Sequence, residues 1–273
     1  MEVSMKKWLI ALTTLVVLLV AGVAILFFSL NSLVEKAANT EGPKITQTAV
    51  HLDNADISLF SGTGLFNGFT VGNPAGFTGH AASVKSMVVQ VDTATVLDET
   101  IVIPLIDIDG PELVYELSRE TSNFDVLMQN IKNYAESHEK KSENAASHSD
   151  AADSDKAGKK VIIDELIIRN AKATLRVPLL RLSVNVPLPE IRLKDIGRDS
   201  SGVSVAHSVL LIVREVAGKL AEATATQSKN LSSTLLKEGE NAGEKAKTLL
   251  EEGGKNAGDK ARTLLKDGLG LFK

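Results

Sequence analysis

The sequence predicts an α+β fold: an N-terminal transmembrane helix, a short antiparallel β-sheet with packed helices, and a long C-terminal amphipathic helix. Three observations carry this expectation. No charged residue occurs from Trp8 to Val34. Apolar and polar residues alternate with period two between 45 and 117 and again between 161 and 196, the pattern of half-buried strands. Repeats at helical spacing fill the last forty residues. The chain of 273 residues therefore divides into five parts. Residues 1–36 are a cytoplasmic N-terminus and anchor, and 37–136 a β-rich part. Residues 137–160 are a flexible polar linker, 161–201 a second β-rich part of the same sheet, and 202–273 a helical region.

The anchor comes first. Leu, Val, Ile, Ala and Phe dominate Leu9 to Leu30, and about 20 such residues span a hydrocarbon core. Lys6 and Lys7 precede the run, and Trp8 stands where an interfacial aromatic belongs. The positive flank favours a cytoplasmic N-terminus, with everything after Val34 outside. A cleaved signal peptide is the rival, but its apolar region would be shorter and end at small residues. Here Ile25-Leu-Phe-Phe28 continues the run beyond Ala24.

The first strands follow. Met87, Val89 and Val91 alternate with Ser86, Gln90 and Asp92, and Ile106 and Ile108 with Asp107 and Asp109. Pro104 marks an edge or a bulge, because it removes a ladder donor. Phe124, Leu127, Met128, Ile131 and Tyr134 recur at spacings of three and four, which predicts a helix from Phe124 to about Ser137 with Ser122 or Asn123 as its cap. His138 to Lys160 contains no large apolar residue and cannot offset its ordering entropy by burial.

Strands resume at Val161. The clearest alternation places Leu180, Leu182, Val184, Val186 and Leu188 on one side, with Arg181, Ser183, Asn185 and Pro187 on the other. Prolines 178, 187 and 189 argue against a central strand there. Helix takes over near Gly202, with Val205, Val209, Ile212, Val213, Val216 and Leu220 as its apolar face. Thr234-Leu-Leu-Lys-Glu-Gly, Thr248-Leu-Leu-Glu-Glu-Gly and Thr263-Leu-Leu-Lys-Asp-Gly then repeat at 14 and 15 residues. These spacings keep the leucines on one helix face. Seven glycines between 239 and 270 weaken that helix, each by about 1 kcal/mol, so its apolar face needs a partner. Packing on the protein, pairing through Gly239-xxx-Gly243 and lying on a membrane surface all remain open.

The chemistry-bearing motifs are absent. The chain has no cysteine, which removes disulfides and thiolate chemistry. Gly62-Thr-Gly64-Leu-Phe-Asn-Gly68 misplaces its third glycine for a dinucleotide fingerprint, and a strand rather than a helix follows it. No Lys-Ser or Lys-Thr completes a phosphate loop. Histidines 51, 80, 138, 148 and 207 lack ligand spacing, and Asp107 and Asp109 read as the solvated side of a strand. A formal net charge of -4 without a basic stripe argues against nucleic acid. No enzyme activity, metal or cofactor is expected.

Two blocks carry a family resemblance. Gly68-Phe-Thr-Val-Gly-Asn-Pro-Ala-Gly-Phe77 ends a strand in a turn, in which Asn73 precedes Pro74, Gly76 suits a positive φ and Phe77 can fold back as an apolar plug. Val186-Pro-Leu-Pro-Glu-Ile-Arg-Leu-Lys-Asp-Ile-Gly197 precedes Gly-Val-Ser and a helix. With the anchor, these blocks resemble the AsmA-like envelope proteins of Gram-negative bacteria. Larger relatives are similar to chorein-type lipid carriers, whose long curved sheet shelters acyl chains on its apolar concave face. The resemblance implies a short curved β-sheet, an inner-membrane location with the bulk of the chain periplasmic, and membrane lipids as partners in envelope lipid handling or outer-membrane homeostasis. Leu180, Leu182, Val184, Val186 and Leu188 are then the lipid-facing candidates. This chain is too short for a conduit across the periplasm, which leaves accessory, adaptor or subunit open. The alternative is a structural or scaffolding envelope protein that contacts other envelope proteins through its C-terminal helix.

Overall fold

The computed structural model describes residues 29–146, 159–238 and 251. Helix α1 covers 29–46. The strands are β1 (Val50–His51), β2 (Asn54–Ser58), β3 (Thr63–Gly72), β4 (His80–Gln90), β5 (Thr100–Ile103), β6 (Leu105–Asp109) and β7 (Glu112–Glu116). Helix α2 (Asn123–Ala146) follows, then β8 (Lys160–Arg169), β9 (Lys172–Val177), β10 (Leu182–Pro187), β11 (Ile191–Ile196), β12 (Val203–Ser204) and helix α3 (Val205–Glu238). The fold is α+β, and all twelve strands join one curled sheet.

The twelve strands behave as six long strands broken by turns. Residues 100–116 pair with residues 60 positions later: Thr100 with Lys160, Ile106 with Leu166, and Glu112 with Lys172. Residues 182–196 run back along 160–177, with Leu182 beside Val177 and Ile196 beside Ile163. Register thus survives Pro104, Gly110-Pro111, Asn170-Ala171 and Leu188-Pro-Glu190. Such interruptions bend a strand and increase its twist. At each one the inward parity changes, as from Ile108 to Leu113 and from Ile168 to Ala173, yet the apolar residues stay on one face. Gly68 has φ +66, and a Cβ there would overlap the Asp53 carboxylate, so only glycine lets β3 bend past the gap between β1 and β2.

The sheet is mixed, which corrects the antiparallel expectation. The stretch β5–β7 runs parallel to β8–β9. The reason is α2, which carries the chain back to the end where β5 began, the crossover that a parallel pair requires. Helix α2 also runs to Ala146, beyond the expected end near Ser137. The added residues include Glu, Lys and Ala, which favour helix without tertiary contacts. Its N-cap is Ser122: Oγ accepts from the Asp125 amide at 3.1 Å, and the Asp125 carboxylate accepts from the Ser122 amide at 3.0 Å, a reciprocal capping pair.

A second difference concerns residues 37–46, expected in the β-rich part. They are the last turns of α1. This helix lies along the exposed edge of β1 and β2 and supplies side chains where a neighbouring strand would supply carbonyls and amides. Asn31 Oδ1 accepts from the Ile57 amide, Glu35 Oε1 from Ala55, and Asn39 Oδ1 from Leu52 while its Nδ2 donates back to the Leu52 carbonyl. The spacing of four aligns all three on one helix stripe, and the unpaired edge is thereby covered. The chain leaves α1 through Gln47 at φ 54.

The core lies between the sheet and helices α2 and α3. Leu113, Tyr115, Leu166, Leu175 and Ile191 meet Phe124, Met128, Val216 and Leu220. The expected apolar face of α3 is buried at Val216 and Leu220, whereas Val205, at the helix start, is exposed. Small residues Ala206, Ala217 and Ala221 are buried beside them, where α3 approaches its neighbours. The repeats beyond Glu238, apart from residue 251, lie outside the described residues, as do the expected anchor before residue 29 and residues 147–158 of the expected linker.

Candidate functional site

Cross-strand partners share a face, so the register assembles whole apolar rows on the side of the sheet that meets the helices. One row crosses Ala55, Phe66, Met87, Ile108, Ile168 and Ile191. The next crosses Ile57, Gly64, Val89, Ile106, Leu166 and Leu193. Each row is buried at β8 and only half-buried at β4 and β6. Phe66, Met87, Val89, Ile106 and Ile108 thus form a half-covered apolar strip. The closest helix–sheet packing is over β7, β8, β10, β11 and β12, to the side of this strip.

The outer face is polar by comparison. Arg169 Nη1 meets Asp107 Oδ2 at 2.9 Å and Arg192 Nη1 meets Glu165 Oε1 at 2.8 Å. Arg198 pairs with Asp164 and Asp195, and these carboxylates push its guanidinium pKa further up. Asp109, expected on the solvated side, is exposed there; Asp107 is instead partly shielded, with Oδ1 buried and unbonded. The outer face sets these charges among apolar residues, as in the row Leu65, Val88, Asp107 and Ile167, whereas the two rows that contain the strip hold no charged member.

The sequence-predicted lipid candidates occupy the opposite edge. Strand β10 pairs with β9 and ends the strand order, consistent with its flanking prolines. Val186 is buried, and Leu182, Val184 and Leu188 pack against the core that α3 covers. Leu180 closes the 3-10 turn Pro178–Leu180 before β10, and its side chain lies outside the described residues.

The Asn73–Phe77 turn is a structural joint. Asn73 Nδ2 donates to the Thr78 carbonyl at 2.6 Å, and the Phe77 amide to the Pro74 carbonyl at 3.1 Å. Gly76 has φ +94, as its place in the turn required. The buried plug is Pro74, while Phe77 is only half-buried, contrary to the expectation of a folded-back aromatic plug. Asn123 ties this turn to the helix. Its Nδ2 donates to Asn73 Oδ1 and to the Val114 carbonyl, both at 2.7 Å, and its Oδ1 accepts from the Glu116 and Phe124 amides. Arg176 Nη1 joins buried Glu116 and Thr78, each at 3.3 Å. Beneath them Tyr115 is buried against Phe124, ring centroids 6.0 Å apart, and that burial, reinforced by Asp125, raises its hydroxyl pKa. Sequence reading offered Asn123 only as a cap and missed its bond to Asn73, 50 residues away, as it missed Arg176, whose partners lie 60 and 98 residues away.

Among the described residues no three His, Asp or Glu side chains gather as a metal set. His51 pairs with Asp53 at 3.0 Å, and His138 stacks on Tyr134. Among the same residues no helix is long and apolar enough to cross a membrane. No protein-family model matches the chain, and no curated protein matches it.

Proposed function

We propose that this is a membrane-anchored envelope protein of the AsmA-like kind that shelters acyl chains on the helix-side face of its sheet. The observation that carries the reading is the half-covered strip Phe66, Met87, Val89, Ile106 and Ile108, set in rows whose other members are core. An apolar strip of this kind loses free energy to water at about 25 cal/mol per Å², and a lipid tail removes that loss without demanding any directional bond. The apolar run 8–34 supports a bilayer anchor with the sheet on the periplasmic side. On this reading the lipid is held without catalysis.

Photocrosslinking from Met87 and Val89 in cells tests it, with Val184 as the comparison. Phospholipid adducts from 87 and 89 are expected. Crosslinks from these positions only to the protein's own helices, or to another envelope protein, would sink the lipid reading and favour the scaffolding one.

A further inference from the structure

The largest exposed apolar side chains gather at one end of the sheet. Phe60 in the β2–β3 turn is 95% exposed, and Leu97 in the β4–β5 loop is 92% exposed. Leu59 and Val96 stand beside them in sequence and are exposed too. The two loops are neighbours: the Val91 amide donates to the Gly62 carbonyl at 2.7 Å, and Thr63 pairs with Gln90. Ser58 to Gly64 and Thr93 to Leu97 carry no charge. Single exposed apolar residues are ordinary, but here two large ones stand more than nine-tenths exposed on adjoining loops.

Helix α1 places this end. Its bonds run from Asn31 to Ile57, Glu35 to Ala55 and Asn39 to Leu52, so it lies antiparallel to β2, and its first residues stand at the end of β2 that leads into the turn. Phe60 is three residues past Ile57, hence within about 10 Å of chain. The uncharged run ends within α1, where Leu33 is 62% exposed. A bilayer that receives this run lies against the end that carries Phe60 and Leu97. Lys159 stands at the same end, its Nζ bonded to the carbonyls of Val96 and Asp98, beside Asp92, Asp98 and Glu99, which bound the second loop.

We infer that the Leu59-Phe60 turn and the Val96-Leu97 loop form a foot that inserts into the headgroup and upper acyl layer of the same bilayer that holds the anchor. This rests on the proposed anchoring and goes beyond it, since an anchor alone leaves the sheet free to stand away from the membrane. The interfacial layer is roughly 5–8 Å deep on each side, enough for two turn-tip side chains but not for the sheet. The half-covered strip begins at Val89, in one row with Ile57 and beside these loops, so a tail that leaves the bilayer at the foot meets apolar surface at once.

The chain has no cysteine, so single labels are clean. Phe60→Cys, Leu97→Cys, Leu179→Cys and Val20→Cys are each labelled with an environment-sensitive fluorophore in the full-length protein, reconstituted into phosphatidylethanolamine–phosphatidylglycerol vesicles. Leu179, 54% exposed in the turn before β10, is the control away from the foot. Labels at 60 and 97 are expected to shift to the blue and lose most of their emission to a nitroxide near the lipid headgroup, while 179 stays solvent-like. Emission at 60 and 97 equal to that at 179 overturns the foot. Position 20, at the middle of the apolar run, is read with a second nitroxide at the acyl-chain end, about 15 Å below the headgroups. If 20 is quenched by it while 60 and 97 match 179, only the foot has failed. If 20 is unquenched as well, the anchor has failed with it. Quenching at 60 and 97 with 20 unquenched overturns the inference as stated, because the foot would then sit in a bilayer that holds no anchor.

Discussion

Around β7 and β9 the helix-side residues Leu113, Tyr115, Ala173 and Leu175 are buried beneath α2 and α3. Around β4 and β6 the residues of the same face, Met87, Val89, Ile106 and Ile108, are half-buried. The two regions share strand pairing and apolar alternation, so neither pattern nor register separates them. Coverage does. The first region also gathers the buried polar joint of Asn73, Glu116, Asn123 and Arg176, which fixes helix to sheet through directional bonds. The second has none among its helix-side residues. Stability is therefore concentrated where α2 docks, and the proposed lipid site falls on the region that lacks such bonds.

The contrast breaks most readily at Leu175. This side chain is fully buried, and Leu175→Ala should lower unfolding free energy by about 2–5 kcal/mol, measured by denaturant titration in detergent. An equal loss from Met87→Ala would erase the distinction between the regions. Next is Asn123→Ala, which strands the Glu116 amide and the Val114 carbonyl in a buried site and should be destabilising by about 3 kcal/mol. A near-neutral result would remove the joint from the argument.

Alkaline pH sharpens the comparison. The folded Tyr115 hydroxyl titrates above its ordinary range because burial disfavours the phenolate. Below about pH 10 both folded and unfolded chains hold this proton, and stability is unaffected. Above it the unfolded chain releases the proton first, so stability falls by about 1.4 kcal/mol per pH unit until the folded pKa is reached. Tyr115→Phe should lack that component of the decline. Identical pH profiles for the two proteins would contradict the assignment. Phe77→Ala should cost only about 1 kcal/mol, since the ring is half-buried. Met87→Ala should be the mildest change, under about 1 kcal/mol, yet it should reduce phospholipid crosslinking from position 89. Loss of stability without loss of crosslinking would reverse the roles given to the regions.

Local patterns determined much of this protein. Alternation located β4, β6 and β8–β11, periodicity located the buried face of α2 from Phe124 to Ile131, and Asn73-Pro-Ala-Gly76 announced its own turn. These signals are short-range: a side chain's face follows from its neighbours' spacing, and φ from the residue itself. The uncharged run 8–34 likewise carries the proposed anchoring by its composition alone. Tertiary structure decided what sits on each face. The α2 crossover made the sheet mixed, and α1 carried Asn31, Glu35 and Asn39 to the β2 edge. Val186 came to be buried, and half-buried Leu182 and Val184 came to lie, like Ile106 and Ile108, against the core, whereas half-buried Phe66, Met87 and Val89 lie beyond it. An apolar face has the same alternation whether a helix or a lipid covers it, because hydrophobic burial is non-directional. Only the placement of the helices distinguishes core from open strip.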